Sequence, residues 1–427
     1  MIDVRAEELS AVVWAWLFFF SALSAYYVIR PIRDDMGVAG GVENLPWLFT
    51  GSLVGTLILN VPFSWLVSKL PRARFISTSY RFFALNLVVF FLILRAATPD
   101  QNIWGGRAFF IWTSVFNMFI VALFWSVMAD VFSPSQSRRL FGFISAGGQI
   151  GAISGAAITS SLVGVLGPAK LMIVSAVLLE VAAFAARRMF ALSPSAPHHT
   201  PAAIEPPEPV IGGSAWDGFK RAMTSPFLLS ISAHTVLYTV LTTFLYFQQA
   251  SLVDATFTDR ALRTRFFANI DLGVNVLTLV TQLFVTARLV QVFGLTAALV
   301  FLPVLSLIGF TALGLMPTVM MLMAFQVLRR SGNFAIAQPA RAALFTVVSR
   351  ADRYKVKTFI DTFVYRAGDQ VAAWAYAPLA ALGAGVAGIS TVAAGVAIVS
   401  IVNAVWLGRH ARAEAPPGSE PAAPRFD

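Results

Sequence analysis

Apolar windows of about 20 residues, long enough to cross a bilayer, recur along the chain near 10–29, 46–67, 77–95, 104–129, 141–165 and 170–190. After a break they resume at 226–248, 264–287, 293–315, 317–348, 358–382 and 388–408. The pattern predicts an all-α integral membrane protein with twelve transmembrane helices in two six-helix bundles. The break from Leu192 to Ser214 is rich in Pro, Ala, His and Glu, a composition that reads as an unstructured linker. The expected organisation is an amino-terminal six-helix bundle over 1–191, a cytoplasmic linker over 192–222, a carboxyl-terminal six-helix bundle over 223–412 and a disordered tail over 413–427.

Composition narrows the chemistry. With 57% hydrophobic and 12% charged residues over 427 positions, the chain is too apolar for an ordinary soluble domain. The absence of cysteine excludes disulfides, haem attachment and thiolate metal sites. Four histidines, two of them (His198 and His199) in the linker, offer no cluster, so neither a metal nor a cofactor is expected. The +10 net charge follows the membrane and does not point to nucleic acid: Lys69, Arg72, Arg74, Arg138, Arg139, Arg187 and Arg188 crowd one set of loops. That bias places both termini in the cytoplasm; the expected membrane is the inner membrane of a bacterium. Ala22-Leu23-Ser24-Ala25 resembles a cleavage site, but Asp3, Glu7 and Glu8 precede the first window where an export leader carries positive charge.

The candidate chemistry lies where charge meets apolar sequence. Tyr26, Arg30 and Arg33 fall at i, i+4 and i+7 on one helical face, and Asp34 stands four residues after Arg30 as an intrahelical partner. Pro31 predicts a kink or an end there. Such arginines anchor helices at headgroups, yet two arginines with Asp34 and Asp35 exceed what an anchor needs. The eighth window carries a polar stripe of Asp271, Asn275, Thr278 and Gln282. The seventh carries Thr235, Tyr238, Thr242 and Tyr246, with His234 beside them. Each stripe faces protein or water, as helix–helix hydrogen bonding or as a cavity wall.

In the tenth window Arg330, Asn333 and Arg341 share a face, Arg329 flanks them and Pro339 offers a break. No acid lies in that window, so its arginines need an anionic solute or one of Asp361, Asp369, Asp271 and Glu180. Arg366 and Asp369, three apart, partly neutralise one another, and Asp361 and Arg366 are expected in a buried network with other helices. Gly147, Gly151 and Gly155 repeat every four residues, which predicts close helix packing.

These residues resemble the ATP:ADP antiporters, the nucleotide transporters of plastids and intracellular bacteria, a branch of the major facilitator fold. Arg30, Arg33 and Asp34 match the first helix of that family, Phe124-Trp125 its fourth, and Arg138-Arg139 the opening of its fifth. The densest match is Pro339, Arg341, Lys355, Lys357, Ile360, Asp361, Arg366 and Gly368, in the family's order and spacing. The resemblance implies that Arg33 and Arg341 handle the nucleotide, with ATP or ADP as transported substrate. The chain departs from members that exchange ATP for ADP: they carry glutamates in the fourth and seventh helices, and neither is present here.

The resulting expectation is a secondary transporter, not an enzyme, moving a small anionic, nucleotide-like or phosphorylated solute by alternating access as a monomer in the lipid bilayer. Substrate-binding candidates are Arg30, Arg33, Arg330, Arg341, Tyr26, Tyr238, Tyr246 and Asn275, the tyrosines as platforms for a base. Structural or coupling charges are Asp34, Asp271, Lys355, Lys357, Asp361, Arg366 and Asp369. The alternative is a proton-coupled transporter of another solute, with Asp271 or Asp369 carrying the proton.

Overall fold

A computed structural model of the chain describes residues 5, 8–69, 72–96, 98–192, 215–346, 348 and 356–413. Lys355, most of the predicted linker with His198 and His199, and the predicted tail beyond Ala413 lie outside them. The described elements are α1 (Leu9–Ala39), α2 (Leu45–Lys69), α3 (Arg72–Ala96), α4 (Pro99–Val131) and α5 (Pro134–Leu192), then α6 (Ala215–Thr224), α7 (Pro226–Thr256), α8 (Arg260–Phe284) and α9 (Thr286–Leu315). They continue with α10 (Val319–Gly332), α11 (Gln338–Ala343), α12 (Tyr365–Ala381) and α13 (Val386–Ala413). Two π-helical turns, Asn333–Ala337 and Ile360–Val364, precede α11 and α12.

Among the described residues, nine helices are long and apolar enough to cross a membrane. α5 alone holds two of the predicted windows, since Gly167 breaks it with φ 76° and ψ 162° directly before Pro168. A positive φ without steric penalty requires glycine. A helix, Ala215–Thr224, also occupies the last part of the predicted linker.

Contacts divide the chain into two compact units, Met1–Pro206 with Val253–Asn275, and Pro207–Leu252 with Val276–Asp427. In the first unit α1 packs along α5. A Cβ on Gly151 would meet the Phe20 carbonyl, and one on Gly155 the Ser24 carbonyl. The close approach lets hydroxyls bridge the helices: Ser24 Oγ donates to the Gly151 carbonyl at 3.0 Å, Thr159 Oγ1 to Val28 at 2.9 Å and Ser175 Oγ to Ala25 at 2.8 Å. Between apolar helices in lipid, such packing and hydrogen bonding replace the hydrophobic drive. An aromatic cluster fills the remaining core, with Phe19 stacked on Phe124 at 3.9 Å and Tyr80 donating its hydroxyl to the Ile120 carbonyl at 3.0 Å.

The second unit is tied the same way. Gln248 Nε2 donates to Ser390 Oγ at 3.0 Å, Asn403 Nδ2 to the Ser230 carbonyl at 3.1 Å, and Gly368 lies against Thr239.

Pro31 does not end the first helix. α1 runs through it to Ala39, so Arg30, Arg33, Asp34 and Asp35 are inside a helix and not at its lip. The turn comes instead at Gly41, with φ 89°.

Candidate functional site

The charges carried by α1 are paired. Arg30 Nη1 donates to Asp271 Oδ1 at 2.7 Å, with 18% and 2% of the two side chains exposed. The sequence offered Asp34 as its partner; the structure gives Arg30 to α8 and leaves Asp34 3.7 Å from Arg33 Nη1. The Arg33 guanidinium covers the Phe110 ring at 4.3 Å. Asp35, fully buried, has Arg260 at 3.0 Å and Arg263 at 3.1 Å, and Arg263 also meets Asp254 at 3.1 Å. The four charges of α1, Arg30, Arg33, Asp34 and Asp35, thus find opposite charge within this unit.

Two of the binding candidates are occupied structurally. Tyr26 is 7% exposed in the aromatic core beside Tyr27 and Phe116, which leaves little of its ring for a base. Asn275 donates to the Asp271 carbonyl at 2.8 Å and accepts from Gln149 Nε2 on its own carbonyl at 2.9 Å.

The second unit contains a different arrangement. His234, Tyr238 and Thr242 succeed one another every four residues on α7, and Tyr238 gathers two arginines. Arg341 stands over its ring at 4.4 Å and Arg329 at 5.5 Å. Arg329 is 2% exposed. Its Nε donates to Ser306 Oγ at 2.9 Å, its Nη1 and Nη2 to Thr242 Oγ1 at 3.1 Å, and its Nη2 to the Tyr238 carbonyl at 3.5 Å. Arg341 Nη2 donates to Asn333 Oδ1 at 3.2 Å. Among the described residues neither guanidinium has a carboxylate within ion-pair distance; Asp361 lies within electrostatic range of Arg341. Tyr365 stands 6.3 Å from Tyr238, ring to ring, and the Nδ1 of buried His234 has no hydrogen-bond partner among the described residues.

Sequence spacing chose Arg330 for this face, whereas Arg329 reaches the ring and Arg330 is half-buried beside it. The π turn at Asn333–Ala337 inserts extra backbone between α10 and α11, so a regular 3.6-residue repeat misassigns the face. A second π turn overturns the buried network expected at Asp361. Ile360 and Val364 point inward and Asp361 between them is exposed, as is Arg366. Asp369 Oδ1 accepts from Thr243 Oγ1 at 3.2 Å, Lys357 lies within electrostatic range of Asp361, and Tyr246 sits beside Phe247.

Clusters of this kind within apolar helices are characteristic of carriers. The sequence model of the Major Facilitator Superfamily matches residues 9–262. The chain belongs to that superfamily. This major facilitator transporter is similar in fold to a bacterial homologue of the iron transporter ferroportin in an inward-facing state (TM-score 0.66, 12% identity, 95% of this chain and 100% of that one). It is also similar to the nucleoside transporter NupG (TM-score 0.56, 15% identity, 96% and 99%) and to a bacterial homologue of the human lysosomal transporter Spinster (TM-score 0.56, 14% identity, 96% and 97%). At these identities the likeness is one of fold. No curated protein sequence matches the chain.

Proposed function

We propose that this major facilitator protein carries an anionic, phosphorylated or nucleotide-like solute by alternating access, in a bacterial inner membrane with both termini cytoplasmic, and that ATP/ADP-type exchange is its mode. The observation that carries the reading is the pair of guanidinium groups, Arg329 and Arg341, over one tyrosine ring, with only neutral partners in direct contact among the described residues. A cation held among apolar helices without a counter-ion is costly, and a phosphate between the two offsets that cost. Arg341, half-buried and held among the described residues by one 3.2 Å hydrogen bond, is the one able to turn toward solute, while fully engaged Arg329 adds fixed charge. Tyr238 and Tyr365 supply aromatic faces for a base.

A proton-coupled reading rests on Asp369, an acid that accepts a hydrogen bond from the neutral Thr243 hydroxyl; uncoupler-sensitive uptake would favour it. The deciding experiment is a titration of ATP and ADP against the thermal unfolding of purified protein, where ligand at 100 times its Kd adds about 2.7 kcal/mol to apparent stability. Arg341→Ala removes a charge-assisted hydrogen bond of about 1.5 to 3 kcal/mol, so affinity should fall about tenfold to a hundredfold. Arg341→Lys keeps the charge without the planar fork and should recover part of the loss. Unchanged affinity in Arg341→Ala removes the proposal.

A further inference from the structure

One charged pair stands apart from these clusters, on the outer face of the first unit. Arg81 of α3 donates from Nε to Oε2 of Glu180, in the second half of α5, at 3.2 Å, and 48% and 47% of the two side chains are exposed. That single bond is the whole of their pairing among the described residues. The Nη donors of Arg81 and Oε1 of Glu180 are left over.

The surroundings are apolar. Phe82 and Leu85 flank Arg81, and Val177, Val181 and Phe184 flank Glu180, all exposed. Arg81 lies six residues beyond Phe75, where its span begins, and Glu180 seven before Arg187, near the end of its own. At 1.5 Å per residue each is about 9 to 11 Å below the same membrane face. A long arginine snorkels from that depth; a short glutamate does not. Polar groups left unsatisfied in hydrocarbon are strongly disfavoured, so this face calls for an occupant offering both an acceptor for Arg81 and a donor for Glu180.

We propose that the occupant is a second copy of the chain, in a homodimer whose two-fold axis runs along the membrane normal, with Arg81 of each copy reaching the partner's Glu180. A two-fold contact places the same patch on both sides. A patch bearing one positive and one negative group at equal depth complements itself under that rotation, whereas one of single sign repels itself. An axis along the normal keeps both copies in the same orientation and both ion pairs level. Such a dimer departs from the monomer expected from sequence.

The chain contains no cysteine, so a single introduced thiol reports without background. Val177→Cys in native membranes under mild oxidant should give a disulfide-linked dimer, and light scattering of the unmodified protein in mild detergent should give twice the chain mass. Arg81→Glu or Glu180→Arg, each added to Val177→Cys, sets like charges against each other at both symmetry-related contacts and should lower the cross-linked fraction by about a hundredfold, the loss of two charge-assisted contacts. The exchanged double variant Arg81→Glu/Glu180→Arg should restore it, which separates lost association from failed folding. A cross-linked fraction unaffected by the single reversals overturns the proposal. So does a monomeric mass, with or without an anionic lipid retained through Arg81.

Discussion

Replacing Asp271 with leucine strands the Arg30 guanidinium inside the first unit. The two groups are 2.7 Å apart with 2% of the Asp271 and 18% of the Arg30 side chain exposed, so both have given up most of their hydration. Removing one member of a buried pair costs about 3 to 5 kcal/mol. The residual exposure of Arg30 places Asp271→Leu near the lower bound, about 3 kcal/mol, and Arg30→Met, which strands the more buried acid, nearer about 5 kcal/mol. The double variant leaves no orphaned charge and should lie within about 1 kcal/mol of the native protein, because apolar replacement of a whole buried pair is often neutral or stabilising. The resulting coupling is several kcal/mol, above the few tenths seen for independent sites. Chemical unfolding of the ligand-free protein in mild detergent measures all four corners of the cycle. Single variants within about 1 kcal/mol of native stability, or single losses that simply add in the double variant, would refute a structural role for the pair.

Three further outcomes are expected. Gly155→Leu drives a side chain into the Ser24 backbone and should lower the yield of monodisperse protein and its melting temperature, while the same change at Gly142, where a Cβ has nothing within 4 Å, should leave both nearly unchanged. Glu8, before α1, accepts from Gln136 Nε2 at 3.0 Å, from the Arg5 backbone N–H at 3.2 Å and from Arg139 Nη2 at 2.8 Å, and these hold its carboxyl below the usual 4.5. A lowered folded-state pKa gives stability that is present above the unfolded value and lost as pH falls through the folded one, so the melting-temperature gap between native protein and Glu8→Gln should close in acid; a gap constant with pH would refute the assignment. Arg33→Ala should weaken nucleotide binding less than Arg341→Ala in the same titration, since Arg33 already has Asp34 within 3.7 Å; equal losses would contradict this ranking.

The all-helical membrane fold was legible because a long apolar run has few interpretations, although the windows at 317–348 and 358–382 are not among the nine helices of the described residues long and apolar enough to cross. The glycine repeat at Gly151 and Gly155 was legible because four-residue spacing of small residues makes a smooth helix face. Partners across sequence were not. Arg30 and Asp271 are 241 residues apart, and from Arg30 alone the nearer Asp34 is the better local candidate. Of the kink or end that Pro31 offered, only the end is excluded, for a physical reason: proline removes one backbone hydrogen bond, and in a packed membrane bundle neighbouring groups can make good that loss. The exchange of Arg329 for Arg330 has a third origin, since a π turn changes the angular register without leaving a mark in the apolar pattern.

These errors share a consequence for the site. Helical spacing treated the arginines of both halves as equivalent donors to one anion, but their local electrostatics differ. In the first unit Arg30, Arg33, Arg260 and Arg263 each have a carboxylate within 4 Å, so a solute there must compete with an acid already in place. Around Tyr238 the direct partners among the described residues are hydroxyls, an amide, a carbonyl and aromatic faces, which orient the guanidinium groups without neutralising them. Cation–π contacts contribute about 0.5 to 2 kcal/mol each, less than a charge-assisted bond to phosphate at about 1.5 to 3 kcal/mol, so an arriving anion can take Arg341 from the ring. The same weak hold lets the anion go again, whereas a resident carboxylate would keep the arginine and tighter caging would keep the solute. A carrier has to bind and release the same solute in every cycle, and Arg341 over Tyr238 suits that requirement better than any of the paired arginines of α1.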